Sequence, residues 1–214
     1  MWQLMEEDGL RFFQYQYGAL LFLHSTKYGG ERFLKKFQPV FLKQIHSDII
    51  VDIDNETQRI GDGIITRKNR AIGVKIADCL PVYIFNEEII GILHCGWRSI
   101  IKGILNRAIE IFKDYKYCLG ASIGPCCYEI GEDVAKLFFE EYPAALIDKN
   151  SRTFLDLKKV VNETLGEKNL IGNLDYCTKC HLEYFFSYRR GESHKRNYAV
   201  VLKNYTQAIF SSRG

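Results

Sequence analysis

Two histidines and a cysteine stand out for what their side chains could hold between them: His46 in Lys43-Gln-Ile-His-Ser-Asp48, Cys79 in Ala77-Asp-Cys-Leu-Pro81, and His94 in Leu93-His-Cys-Gly-Trp-Arg98. Two imidazoles and one thiolate suit a tetrahedral zinc that keeps its fourth position open, the arrangement of a catalytic rather than a structural site. Residue type alone does not establish this, because a single buried His or Cys is more often packed and hydrogen-bonded than a ligand. What singles out these three is their shared placement just past short apolar runs, where loops held by a sheet carry chemistry. Asp78, beside Cys79, could carry a proton or orient the ligand, or could simply cap a strand end.

A second group of residues suggests an anionic ligand. Phe186-Ser-Tyr-Arg-Arg190 followed by Gly-Glu-Ser-His-Lys-Arg196 brings Arg189, Arg190, Lys195 and Arg196 within eight residues, and arginine suits bidentate recognition of phosphate or carboxylate. The plainer alternative is a solvated basic loop. Arg98 belongs with these cations, because it falls in the first turn of an expected helix whose free amides could meet an anion. Cys177-Thr-Lys-Cys180-His181 matches the haem-attachment pattern, but no export signal or haem-enclosing fold supports that use. A zinc ribbon would need a second spaced pair, and Cys126-Cys127 is adjacent, so Cys177 and Cys180 read as buried thiols near a strand start.

The elements that must position these groups follow from apolar periodicity. Residues 19–23, 40–45, 49–53, 71–76, 82–85 and 89–93 read as strands, as does 197–202. From Trp97 to Phe112 the apolar residues recur at helical spacing, predicting one helix, with shorter helices over 132–142 and 156–165. On this map His46 and His94 lie just beyond strands and Cys79 three residues past one. The mixture predicts an α+β fold of mixed sheets flanked by helices.

With 214 residues, 47% of them apolar and 14% aromatic, the chain can bury a full core, and one domain spanning residues 1–214 is expected. A net charge of +3 from 29 basic and 26 acidic residues, interspersed along the chain, argues against nucleic acid or a membrane surface as partner. Leu20-Leu-Phe-Leu23 is too short for a signal segment or a span, which predicts a soluble cytoplasmic protein. Seven cysteines are an odd number and read as reduced thiols rather than a disulfide framework.

Taken in order along the chain, Thr26-Lys-Tyr-Gly-Gly30, Gln44-Ile-His46, Gly61-Asp-Gly-Ile-Ile-Thr66, Ala77-Asp-Cys-Leu-Pro81, His94-Cys-Gly-Trp-Arg98, Ile123-Gly-Pro-Cys-Cys-Tyr-Glu-Ile-Gly131, Cys177-Thr178 and Phe186-Ser-Tyr-Arg-Arg190 with Arg196 resemble the YfiH or laccase-domain family. The resemblance covers nearly the whole chain. It implies an α/β/β/α layering and a zinc, with copper less favoured, held by His46, Cys79 and His94. It further implies a purine nucleoside phosphorylase acting on adenosine, inosine and methylthioadenosine, with adenosine deaminase activity. His46, Cys79, His94 and Asp78 would then be catalytic, and Arg98, Arg189, Arg190 and Arg196 would bind substrate. Nucleoside and phosphate are the partners so implied, for a monomer or weak homodimer. A peptidoglycan-precursor editing hydrolase is the alternative within the family. A copper polyphenol oxidase fits less well, since a multicopper centre needs many imidazoles and the chain has five histidines. The chain departs from the family pattern in the fifteen residues between Gly30 and His46, a shorter stretch than usual, in Cys95 where alanine is common, in Gly120-Ala121 and in His194-Lys195.

Overall fold

The computed structural model describes residues 1–203. Alternating apolar residues open the chain as a meander of Gln3–Glu7 (β1), Leu10–Tyr17 (β2) and Leu20–Ser25 (β3), paired antiparallel. The two tight turns between them carry Asp8, Gly9 and Gly18 at positive φ, the backbone that two-residue hairpins require. After Gly30–Phe37 (α1) come Ile50–Asp52 (β4), Gly63–Thr66 (β5), Ile72–Ile76 (β6), Leu80–Phe85 (β7) and Ile90–Cys95 (β8). Trp97–Ile101 (α2), Ile104–Phe112 (α3), Lys116–Leu119 (β9), Glu129–Ile130 (β10) and Glu132–Phe139 (α4) follow, then Leu146–Lys149 (β11), Arg152–Leu155 (β12), Leu157–Leu165 (α5), Leu170–Asn173 (β13) and Asn197–Lys203 (β14).

The described residues form three sheets. The first has the order β1-β2-β3-β14-β6, the second β13-β9-β7-β8-β5-β4, and a small third β10-β12-β11. The second is mixed: β13 runs parallel to β9 and β4 parallel to β5, while the central pairs are antiparallel.

Strand alternation sends successive side chains to opposite faces, and each face finds a partner. Phe22, Ile72, Val74 and Val201 of the first sheet meet Ile64, Tyr83, Ile90 and Ile92 of the second in one buried cluster. On the outer face of the first sheet, Phe33 of α1 packs against Leu10, Phe12, Leu23 and Val200. The outer face of the second sheet sets Val82, Ile84 and Leu93 against Ile104, Ala108 and Phe112 of α3 and Val160, Val161 and Leu165 of α5. Helix, sheet, sheet, helix is therefore the order of layers, as the family resemblance implied. Each such large side chain contributes about 1.5–3 kcal/mol of burial. Among the described residues no helix is long and apolar enough to cross a membrane.

Several expected elements differ in extent. Residues 40–45 form no strand: Val40 bridges to Ile72 of the first sheet and Lys43 to Ile60 beside the second, so the segment crosses between sheets and runs alongside neither. The helix expected from Trp97 to Phe112 breaks in two, because Gly103 at φ 96° ends α2 in the left-handed conformation favoured at helix C-termini. The helix expected over 132–142 stops at Phe139, and Asp156 stands outside α5 as its cap, accepting from the amides of Lys158 and Lys159. Weakly alternating or short segments (β1, β2, β5, β9 to β13) and α1 were not anticipated.

Candidate functional site

Ladder register builds the ligand group. In the β7–β8 pair Leu80 faces Cys95 and Pro81 faces His94, which brings Cys79, just before β7, opposite Gly96, just after β8. On the other side Gly63 of β5 faces Leu93, and the amide of His94 donates to the carbonyl of Asp62 at 2.7 Å. His94 is thus inside β8, not beyond it as expected, and it is flanked by Cys79 on one neighbour and Asp62 on the other. A Cβ at position 96 would stand 2.9 Å from Cys79 Sγ and 3.3 Å from the His46 ring, so only glycine leaves room for these side chains to close. The His46, Cys79 and His94 ligand atoms all lie within 4.8 Å of one another, with Cys79 Sγ 3.9 Å from His46 Nε2.

Asp62, which the sequence marks only within the segment Gly61-Asp-Gly-Ile-Ile-Thr66, organises both histidines. Its Oδ1 accepts from His94 Nδ1 at 2.9 Å, which keeps that nitrogen protonated and makes Nε2 the one that a metal would bind on displacing its proton. Its Oδ2 accepts from the amides of Ile45 and Ser47 and from the Ser47 hydroxyl, at 3.1, 2.6 and 2.8 Å, gripping the loop on both sides of His46. His46 itself sits at φ 56°, a conformation that costs free energy and persists because its neighbours are pinned; Lys102 Nζ also donates to its carbonyl. Burial works to raise the Asp62 pKa, but the hydrogen bonds from His94 and Ser47 outweigh it and hold this carboxyl well below the usual range.

Beside His46, Asp78 is the other cavity residue at strained φ, 89°. Its carbonyl accepts from Ile123 N at 2.9 Å, Oδ1 from Thr178 Oγ1 at 2.7 Å and Oδ2 from Arg189 N at 2.7 Å. Both carboxylate oxygens are engaged in holding loops together around the site. Beyond these groups opens a cavity of about 550 Å³, lined by His46, Asp78, Cys79, His94, Trp97, Arg98, Tyr128, Tyr188, Arg189 and Arg196 among others. That size suits a small organic ligand. Arg190 does not line it. Its guanidinium is consumed by Glu192 and by the carbonyls of Thr178, Lys179 and Phe185. The helix terminus expected at Trp97 shrinks to a five-residue turn, so the dipole invoked there is small.

Arg98 lies over the Trp97 ring at 4.3 Å. Arg189 donates to the Glu129 carbonyl and lies over Tyr128 at 5.1 Å, while Arg196 donates to the carbonyls of Ser193 and Lys195. Among the described residues, Arg98 is the cavity arginine whose guanidinium has no hydrogen-bond partner.

The donor set fits a borderline-soft metal. Burial opposes a charged thiolate, yet the charge of His94 and hydrogen bonds from both imidazoles bring the Cys79 thiol down to about 6. Burial likewise opposes an imidazolium, but Cys79 and Asp62 raise His94 to about 9. A thiolate beside a proton-holding imidazole is a place where a metal can replace the proton. Two imidazoles and a thiolate with an oriented outer carboxylate form a donor set that a metal ion of the zinc class fits.

The remaining cysteines do not behave as expected. Cys177 and Cys180 are not buried packing thiols: Cys180 is exposed and Cys177 half-buried, and they gather with Cys126 and Cys127. The reason is the Ser122–Cys177 bridge, which lays the two loops side by side. Cys95 and Cys118 are the ones that pack, both fully buried.

Residues 31–203 match the family model described as multi-copper polyphenol oxidoreductase laccase. A purine nucleoside phosphorylase of Clostridium acetobutylicum is 34% identical over 181 residues, covering 76% of this chain and 76% of its own. One from Aquifex aeolicus is 33% identical over 169 residues, covering 74% of this chain and 80% of its own. The fold is similar to that of a solved Neisseria meningitidis protein, with TM-score 0.81 at 21% identity over 90% of this chain and 99% of that one. It is equally similar to the YfiH protein of Bacillus licheniformis, with TM-score 0.81 at 20% identity over 94% of this chain and 99% of that one. With most of its length matched and relatives a third identical, the chain belongs to the multi-copper polyphenol oxidoreductase laccase family.

Proposed function

We propose that the chain is a zinc-dependent purine nucleoside phosphorylase acting on adenosine, inosine and methylthioadenosine, with adenosine deaminase activity. One observation carries this: His46, Cys79 and His94 converge on the wall of a cavity that also presents Arg98, Arg189 and Arg196. Curated relatives named purine nucleoside phosphorylase support the same reading. A zinc held by His46, Cys79 and His94 would supply Lewis acidity and, from water at neutral pH, a nucleophile.

The chain's own residues do the positioning. In phosphorolysis a phosphate oxygen bonds to the anomeric carbon as the bond to the purine nitrogen breaks, the electron pair leaves with the base, and the base takes up a proton. Arg98 would hold that phosphate, because its guanidinium lies over the Trp97 ring with its N–H groups unspent. Asp78 acts as a positioning residue, since both its oxygens are committed to the loops bearing Thr178 and Arg189. Tyr188, exposed and lining the cavity, offers a ring face for a base.

A panel of nucleosides assayed with and without phosphate tests the reading. Adenine and ribose 1-phosphate should appear from adenosine only with phosphate, and inosine should accumulate without it. Arg98→Ala should depress phosphorolysis by about 1.5–3 kcal/mol, roughly ten- to a hundredfold, and spare deamination. A panel in which no nucleoside is consumed under either condition would remove the proposal.

A further inference from the structure

We propose that Cys126, Cys127, Cys177 and Cys180 form a tetrathiolate site for one ion of the zinc class, separate from the His46, Cys79 and His94 group and independent of any phosphorylase activity. All four sulfurs lie within 4.8 Å of one another, with Cys180 Sγ 3.6 Å from Cys126 Sγ and 3.4 Å from Cys127 Sγ. Four sulfurs bound at about 2.3 Å around a tetrahedral centre stand roughly 3.8 Å apart. A disulfide would draw two of them to about 2.05 Å and leave two over. The observed spacing is close to the first arrangement.

The backbone around the sulfurs is built to match. The amide of Gly124 donates to Cys177 Sγ at 3.2 Å, a bond that favours the thiolate. Two turns aim the sulfurs, one closed by Cys127 N donating to Gly124 O and the other by His181 N donating to Cys177 O. A Cβ on residue 124 would stand 3.3 Å from Cys177 Cβ and 3.4 Å from Cys126 Sγ, so glycine lets the loops close. Between Cys177 and Cys180 the carbonyls of Thr178 and Lys179 accept from Arg190, whose charge offsets the net negative charge of four thiolates on a divalent ion. Packing does not explain the cluster, because Cys126 and Cys180 are exposed. The adjacent pair supplies the half-site that the sequence lacks as a spaced pair, since the chain reverses direction from Gly124 to Cys127.

The ion would act as a clip. The loops it joins carry Ile123 and Thr178, which hold Asp78, and Tyr128, which lines the cavity. Metal content of the reduced, desalted full chain tests the site. Wild type should carry about two ions per chain, and about one should remain in Cys177→Ser/Cys180→Ser and about one in His94→Ala. Cobalt loaded into the His94→Ala chain should show the thiolate charge-transfer absorption of a tetrahedral four-sulfur site, absent from the double cysteine variant. Should that variant not fold, native wild type gives the answer: added zinc should shield all four thiols from alkylation and a chelator should expose them. Unchanged metal content in a folded cysteine variant, thiols that zinc does not shield, or a disulfide in the intact mass would each overturn the proposal. A failed nucleoside panel would leave this count untouched.

Discussion

At Asp62 one carboxylate fixes two imidazoles by different routes, His94 through its ring and His46 through the amides on either side of it. Every donor around Asp62 needs an acceptor, and Asn can accept on one oxygen only. In Asp62→Asn, whichever way the amide is turned, an N–H2 group meets an N–H and one histidine is released. Zinc affinity, measured by competition with a chelator, should fall about ten- to a hundredfold while the circular dichroism spectrum stays native. Unchanged affinity would show that the ligands are oriented by the strands alone. The three convergent residues were legible in the sequence because imidazole and thiolate are rare chemistry and each followed an apolar run. Asp62 was not, since a carboxylate between two glycines reads as a turn until the ladder shows what lies opposite. Arg190 misled for the converse reason: a cluster of cations does not reveal which of them is already spent on carbonyls.

Among the elements, α5 gives the cleanest test of local sequence against tertiary packing. It is nine residues long, too short to persist alone, and is held by Val160, Val161 and Leu165 in the core and by the Asp156 cap. Asp156→Ala should cost about 1 kcal/mol in urea denaturation, read as a lower midpoint at constant slope. A loss near zero would mean that packing carries the terminus without the cap. Helix periodicity in α3, α4 and α5 and the apolar runs of β3, β6, β7, β8 and β14 were readable, because each buries one continuous face. Strands such as Gln3–Glu7 and Leu146–Lys149 were not, because they are largely exposed and bury no apolar face that would mark them, although each pairs with the strand next along the chain. The break at Gly103 was hidden by an apolar stripe that continues on both sides of it.

For the molecule as a whole, His24 couples layers and should make stability depend on pH. Its ring lies against Ala121 O at 3.3 Å, Ser25 O at 2.9 Å and the Phe185 ring at 5.1 Å, tying β3 to loops that follow β9 and precede β14. Burial lowers its pKa from 6.5 to about 4, only partly offset by the two carbonyls. Below pH 6.5 the unfolded chain therefore takes up a proton that the native chain refuses. This stability is complete above the unfolded value and is lost as pH falls toward the folded one, by about 2 kcal/mol between pH 7 and pH 5. Urea midpoints across that range should fall in wild type and fall less in His24→Gln; parallel slopes would assign the acid sensitivity elsewhere. The layering could be anticipated as a class from mixed strands and amphipathic helices, but strand order could not, because nothing local to residues 197–203 says that they lie between β3 and β6. That insertion has a consequence for synthesis. A ribosome delivers β3 and β6 long before the strand that separates them, so until Asn197–Lys203 emerges both present open hydrogen-bonding edges. The nascent chain is then least protected just before Asn197–Lys203 emerges, and the first sheet closes in one late step that joins the β1 to β3 meander to the last described strand.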